Sequence, residues 1–124
     1  MEKGYVHVYT GDGKGKTTVM LGLALRAYGA GLKIYIGQFI KTGGYSEIKA
    51  IKENLPLIDI EQYGTGFMRR TGKTEDAVKA AQDGLLKAAA ALSSGRYDLV
   101  MLDEINMAVH HGLVSVEDAL RLIA

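Results

Sequence analysis

Apolar and polar positions fall into blocks whose period changes several times along the chain. Tyr5-Val6-His7-Val8-Tyr9 alternates in the manner of a short strand. Residues 19–28 are apolar at helical spacing, and Gly29-Ala30-Gly31 supplies a helix stop. Leu32-Lys33-Ile34-Tyr35-Ile36-Gly37, β-branched and aromatic, predicts a second strand that leads into Gln38-Phe39-Ile40-Lys41. A glycine-bearing loop, Thr42-Gly43-Gly44-Tyr45, precedes a short helix over 46–53 with Ser46 as its cap. Residues 57–63 alternate again and predict a third strand. From Thr74 to about Leu92, Val78, Ala81, Leu85, Ala88 and Leu92 recur at three- and four-residue steps, the apolar stripe of a long helix. Thr74 caps it, and Glu75 and Asp76 complement its dipole. Residues 88–91, all alanine, suit close packing on a sheet. Ser93-Ser94-Gly95 ends the helix, and residues 97–102 predict a fourth strand of buried character. Ser115-Val116-Glu117-Asp118 is an acidic, capped start for a last helix through Ile123.

Strands alternating with helices predict an α/β fold with an open parallel sheet and right-handed crossovers. Ligands in such sheets sit beyond the carboxyl ends of the strands, so residues just after each strand are the first candidates for chemistry.

Composition narrows this picture only in part. With 124 residues the simplest organisation is one domain spanning 1–124, large enough for a real core. A formal net charge of +1, with cations scattered and no basic stripe, gives no support for a nucleic-acid or anionic-membrane partner. No cysteine is present, which excludes disulfides and thiolate-bound metal and suits a reducing cytoplasm. Met1-Glu2-Lys3-Gly4 opens the chain without an apolar signal segment. Residues 19–40 are interrupted by Arg26, Lys33 and several glycines, so no membrane span is expected.

The strongest local chemistry is Thr10-Gly11-Asp12-Gly13-Lys14-Gly15-Lys16-Thr17, followed by Thr18. A strand, a glycine-rich turn, Lys-Thr and a helix make the layout of a phosphate-binding P-loop. Glycines let backbone N–H groups approach phosphate oxygens, and the helix start adds its own donors and dipole. Lys16 brings a full charge, and the Thr17 hydroxyl is a ligand for Mg²⁺. Lys14 is a further phosphate contact, and Asp12 is either a ribose acceptor or a brace for the turn. One position departs from G-x-x-x-x-G-K-[ST]: Thr10 stands where the first glycine belongs. The dinucleotide pattern G-x-G-x-x-G fits less well, because it needs glycine at 16.

Leu99-Val100-Met101-Leu102-Asp103-Glu104 is an apolar strand ending in two acids, the usual partner of such a loop. Either Asp103 or Glu104 meets the metal, directly or through water. Arg26, on the helix after the loop, reads by local pattern as a surface arginine rather than a phosphate contact. His7, within the first strand, and His110-His111, on the loop after the acids, read as structural or solvated residues. No Ser/His/Asp set is recognisable.

With these residues in view, the chain resembles the P-loop type cob(I)alamin (corrinoid) adenosyltransferases, whose loop reads T-G-N-G-K-G-K-T-T. Thr10 is what that family carries at the departing position. Gln38-Phe39-Ile40-Lys41, Gly66-Phe67 and Leu102-Asp103-Glu104 also agree, as does Arg26 on its helix. The resemblance implies a three-layer, RecA-like P-loop NTPase fold with a mostly parallel sheet. It implies that cob(I)alamin attacks the 5′ carbon of ATP and that triphosphate leaves. Carried over, residues 10–18 (Thr10, Gly11, Asp12, Gly13, Lys14, Gly15, Lys16, Thr17 and Thr18) with Arg26 would bind ATP. Lys16, Thr17 and Glu104 would be the catalytic set, and Thr17 with Asp103 and Glu104 would hold Mg²⁺. Phe67 would pack against the corrinoid, with Arg69 beside it. Arg69 stands where relatives commonly have tryptophan, a residue this chain lacks altogether. Relatives also continue past the last helix, so the chain is expected to lack their C-terminal strands. The resemblance further implies a cytoplasmic enzyme of cobalamin synthesis or salvage, a flavin-type reductase partner and a homodimer. Two other readings of the same Mg-ATP site stand beside it: a hydrolase or kinase, and a nucleotide-binding protein without catalysis.

Overall fold

The computed structural model describes residues 6–8, 15–40, 46–64 and 75–123. In chain order these form α1 (Lys16–Gly29), β1 (Ile34–Gln38), α2 (Ser46–Asn54), β2 (Ile58–Gln62), α3 (Glu75–Ser93), β3 (Leu99–Asp103), α4 (Ile105–His110) and α5 (Val116–Ile123). The three strands are parallel in the order β2-β1-β3, as the alternation of strand and helix implies. Val6, His7 and Val8 are exposed and without regular structure, so the first predicted strand contributes no ladder among the described residues.

Side-chain alternation divides the core between the two faces of the sheet. Ile34 and Ile36 of β1 pack with Ile58 and Ile60 of β2 against Ala24 of α1 and Ile48 and Ile51 of α2. Tyr35 and Phe39, with Tyr63 just past β2, face Ala77, Ala81 and Ala91 of α3, Ala108 of α4, and Leu113 and Val114. Every residue of β1 is buried, as befits a central strand covered on both faces.

The two crossover connections, β1 to β2 and β2 to β3, explain this layering. The chain leaves β1 through α2 to reach β2 on one side, then passes through α3 to β3 on the other. Connections of one hand that travel in opposite directions place their helices on opposite faces. The chain therefore leaves β1 toward the α1/α2 face and leaves β3 toward the α3 face, opening a crevice between their carboxyl ends. Such a crevice is where ligands bind in open α/β sheets.

The buried face of α3 is built from small residues: Ala77, Ala81, Gly84, Ala88 and Ala91. The expected stripe is thus rotated, and Leu92 at its end is exposed. Tyr63 is the cause. A Cβ on Gly84 would lie 2.4 Å from the Tyr63 ring, and one on Gly37 of β1 would lie 2.7 Å from it. The ring is wedged between two glycines, so only a low-relief helix face fits above it. At α5, the Ser115 hydroxyl accepts the Asp118 N–H at 3.0 Å, the cap the sequence predicts. No helix among the described residues is long and apolar enough to cross a membrane.

Candidate functional site

The crevice between β1 and β3 is lined by the last residue of each strand. In register, Gln38 of β1 lies opposite Asp103 of β3 on one side and Gln62 of β2 on the other. All three end their strands and share the parity of Ile34 and Ile36, so they belong to the face covered by α1. The N-terminus of α1 arrives beside them. Gly15 precedes it at φ 106°, in left-handed space, although a Cβ there would meet nothing within 4 Å. Glycine is required here for backbone freedom, not for lack of room. Gly15 has no side chain with which to cap the helix, and the first turn contains no acid. That turn therefore keeps an electropositive character suited to an anion.

Thr17, in this first turn, is half-buried, while Lys16 and Thr18 are exposed. The Thr17 hydroxyl donates to the Asp103 carboxylate, at 3.1 Å from Oδ1 and 3.2 Å from Oδ2. A hydroxyl with its single hydrogen engaged in this way meets any further group as an acceptor or a metal ligand. The Gln38 side-chain N–H₂ donates to Oδ2 of the same carboxylate at 3.0 Å, and the Gln62 N–H₂ donates to the Gln38 Oε1 at 3.0 Å. Asp103 is 6% exposed and Gln38 is 1% exposed. Burying a carboxylate is costly unless donors surround it, and here two side chains from two elements supply them.

Glu104 comes next and takes φ 61° and ψ 26°, the one non-glycine residue in left-handed space among those described. Its carbonyl accepts the Ala108 N–H at 3.1 Å and so opens α4. The backbone reversal at Glu104 lets the chain turn into α4 immediately beyond the strand. Adjacent acids thereby play different parts: Asp103 looks into the crevice, and Glu104 forms its rim.

The structure brings Gly15, Lys16, Thr17, Thr18, Asp103 and Glu104 to one end of the sheet. Arg26 is in the last turn of α1 and exposed, roughly 14 Å along the axis from Thr17 at the usual helical rise. Thr10, Gly11, Asp12, Gly13 and Lys14 of the loop, and Phe67 and Arg69, lie outside the described residues. His110 ends α4 rather than lying on a loop, and its ring meets that of His111 edge-on at 5.3 Å, both exposed. Sequence reasoning gave no role to Gln38 or Gln62. The available signal was that each strand carries a hydrogen-bonding side chain at its end, in the same parity as the apolar core residues before it.

The chain matches the model of the ATP:corrinoid adenosyltransferase BtuR/CobO/CobP family over residues 2–124. It is 32% identical to a corrinoid adenosyltransferase of Pseudomonas aeruginosa over 120 residues, covering 96% of this chain and 59% of that protein. It is likewise 32% identical to a corrinoid adenosyltransferase of Escherichia coli over 123 residues, 98% of this chain and 62% of the other. An uncharacterized protein of a Nostoc species is 36% identical over an alignment 124 positions long, gaps included, that covers 90% of this chain and 33% of that longer protein. The chain thus spans about 60% of the length of the two curated adenosyltransferases named here.

Proposed function

The chain belongs to the ATP:corrinoid adenosyltransferase family, and on that premise we propose that it transfers the 5′-deoxyadenosyl group of ATP to cob(I)alamin or a related corrinoid. The observation that supports this most is the Thr17–Asp103 contact, which joins the start of α1 to the end of β3 across the crevice. In the reaction, the cobalt of the corrinoid substrate supplies an electron pair to the 5′ carbon. The cobalt pair becomes the new cobalt–carbon bond, the carbon–oxygen bond breaks, and triphosphate departs with the electron pair of that broken bond. What the protein must do is hold the polyphosphate as a leaving group and keep the ribose carbon open to attack.

The residues of the crevice suit that task. The uncapped first turn of α1 and the exposed Lys16 are donors for phosphate oxygens. Asp103 holds the Thr17 hydroxyl hydrogen, so that oxygen meets a cation with its lone pairs. Among the described residues no three His, Cys, Asp or Glu side chains converge. A cation held by Thr17 and the carboxylates at the end of β3 would meet oxygen donors, the ligand type Mg²⁺ favours, and would complete its shell with water and phosphate. Thr17, Asp103 and Glu104 are the residues that would hold Mg²⁺, which when bound offsets charge growing on the triphosphate. Residues 10–18 with Arg26 are the proposed ATP contacts, and Phe67 with Arg69 the proposed corrinoid contacts. Residues 1–124 then act as one nucleotide-binding domain. Because cob(I)alamin is a reduced species, the same reading includes a flavin-type reductase as its supplier, a homodimer and a cytoplasmic setting.

The test is product analysis. Incubated with ATP, Mg²⁺ and chemically reduced cobalamin, the protein should release triphosphate and form the light-sensitive cobalt–carbon chromophore. Release of ADP and phosphate, or no turnover of ATP, overturns the proposal. Lys16→Ala removes a charge-assisted phosphate contact, and ATP affinity measured by titration should fall by roughly 10–100-fold.

A further inference from the structure

The glutamines of β1 and β2 have no part in the reaction just described, yet their arrangement has a direction. A glutamine amide presents a carbonyl at one end and N–H₂ at the other. The Gln38 carbonyl is occupied by the Gln62 N–H₂, which obliges the Gln38 N–H₂ to face Asp103. Reversed, Gln38 would set its carbonyl oxygen against a carboxylate oxygen, and Gln62 would meet N–H₂ with N–H₂. Donation therefore runs one way, from Gln62 to Gln38 to Asp103, and the Thr17 hydroxyl approaches the same carboxylate from α1. At 1% exposure Gln38 has one orientation available, and a glutamine gives up much rotamer freedom to be held there. An aliphatic side chain would fill that place at less cost if packing were all that mattered.

We propose that Gln38 and Gln62 are positioning residues, a directed pair of amides that fixes the Asp103 carboxylate against Thr17 and so sets the affinity of the nucleotide site for its divalent cation. This rests on Thr17 and Asp103 forming the metal end of that site. Partners that orient a ligand set typically contribute 10–100-fold to metal affinity. Gln38 acts directly on the carboxylate, and Gln62 acts on it through Gln38.

The test separates metal dependence from nucleotide binding. ATP affinity is titrated on the full chain, once with the cation chelated and once across a Mg²⁺ series. For Gln38→Leu and for the near-isosteric Gln38→Glu, the Mg²⁺ concentration giving half its effect should rise by roughly 10–100-fold. Chelated ATP affinity should stay within about twofold for Gln38→Leu, which changes no phosphate donor and adds no charge. Gln62→Leu should give a smaller rise, and Gln38→Leu/Gln62→Leu should match Gln38→Leu alone, because a residue acting through another adds nothing once that other is gone. A Mg²⁺ requirement unchanged in both Gln38 variants overturns the proposal, as does full additivity in the double variant. If Gln38→Leu does not fold, the part-buried Gln62→Leu carries the same measurement, with an unchanged requirement counting against the pair. Wild-type protein whose ATP affinity is insensitive to Mg²⁺ instead removes the reading of Thr17 and Asp103 on which the proposal stands.

Discussion

Glu104 shows how a single residue stores conformational energy at the mouth of the crevice. Left-handed backbone costs an L-residue about 1–2 kcal/mol, and Glu104 at φ 61° is kept there by the immediate turn from β3 into α4. Substitution by alanine and by glycine removes the same side chain, so their difference isolates the backbone. Glu104→Gly should be more stable than Glu104→Ala by about 1 kcal/mol in urea unfolding, since glycine adopts this φ without penalty. Both variants should lose Mg²⁺-dependent ATP affinity to a similar degree. Equal stabilities would mean that α4 shifts to relax the turn, and the strain argument would fall. Gly15, at φ 106°, shows the other solution to the same problem, with glycine placed where the backbone demands it.

At the scale of elements, the packing of α3 on the sheet is decided by Tyr63. Gly84 in the middle of a helix is locally unfavourable, and alanine there would gain about 1 kcal/mol of helix propensity. Against that gain stands a Cβ 2.4 Å from a ring that Gly37 confines on its far side. Overpacking of this kind costs typically 1–3 kcal/mol, so the steric effect wins. Gly84→Ala should therefore lower unfolding free energy by up to about 2 kcal/mol net in urea titration. A gain in stability would show that Tyr63 is not held as described. The extent of α3 was readable within a residue or so, because its caps and periodicity are local. Its buried side was not, because the Ala/Gly stripe answers to aromatic residues on strands remote in sequence. The site divides in the same manner. Thr17 and Asp103 stand out because each ends a recognisable local pattern, whereas Gln38 and Gln62 gain meaning only once parallel register sets them in a row.

Among the described residues two apolar layers lie on the two faces of the sheet, and the layer under α3 contains buried hydroxyls. Tyr35 of β1 and Tyr63 beyond β2 hydrogen-bond to each other through their phenol oxygens. Burial pushes Tyr35 up to about 12, and burial together with the bond to Tyr35 pushes Tyr63 higher still. Tyr97 is also raised, chiefly by its hydrogen bond to Asp59. For an acid whose folded pKa exceeds its unfolded value near 10, the unfolded chain loses its proton first. Bound protons are then fewer in the unfolded state, and stability falls as pH rises. The contribution is present in full below about pH 10 and is lost from there towards pH 12 and beyond, by at most about 1.4 kcal/mol per pH unit for each group. Urea unfolding from pH 8 to 11.5 should show this decline in the wild-type protein. Replacing both hydroxyls in Tyr35→Phe/Tyr63→Phe leaves no buried group without its partner, so stability at pH 8 should change by less than about 1 kcal/mol. The alkaline decline should become shallower in that variant, leaving the share due to Tyr97. Tyr35→Phe strands the Tyr63 hydroxyl and should be less stable than the double at pH 8, by about 1 kcal/mol or more, whereas Tyr63→Phe leaves the Tyr35 hydroxyl a partner in Glu61 and should cost less. A decline equally steep in wild-type and double variant would mean that solvent reaches the pair. The layer beneath α3 would then be open, and the sheet would have one sealed face, not two.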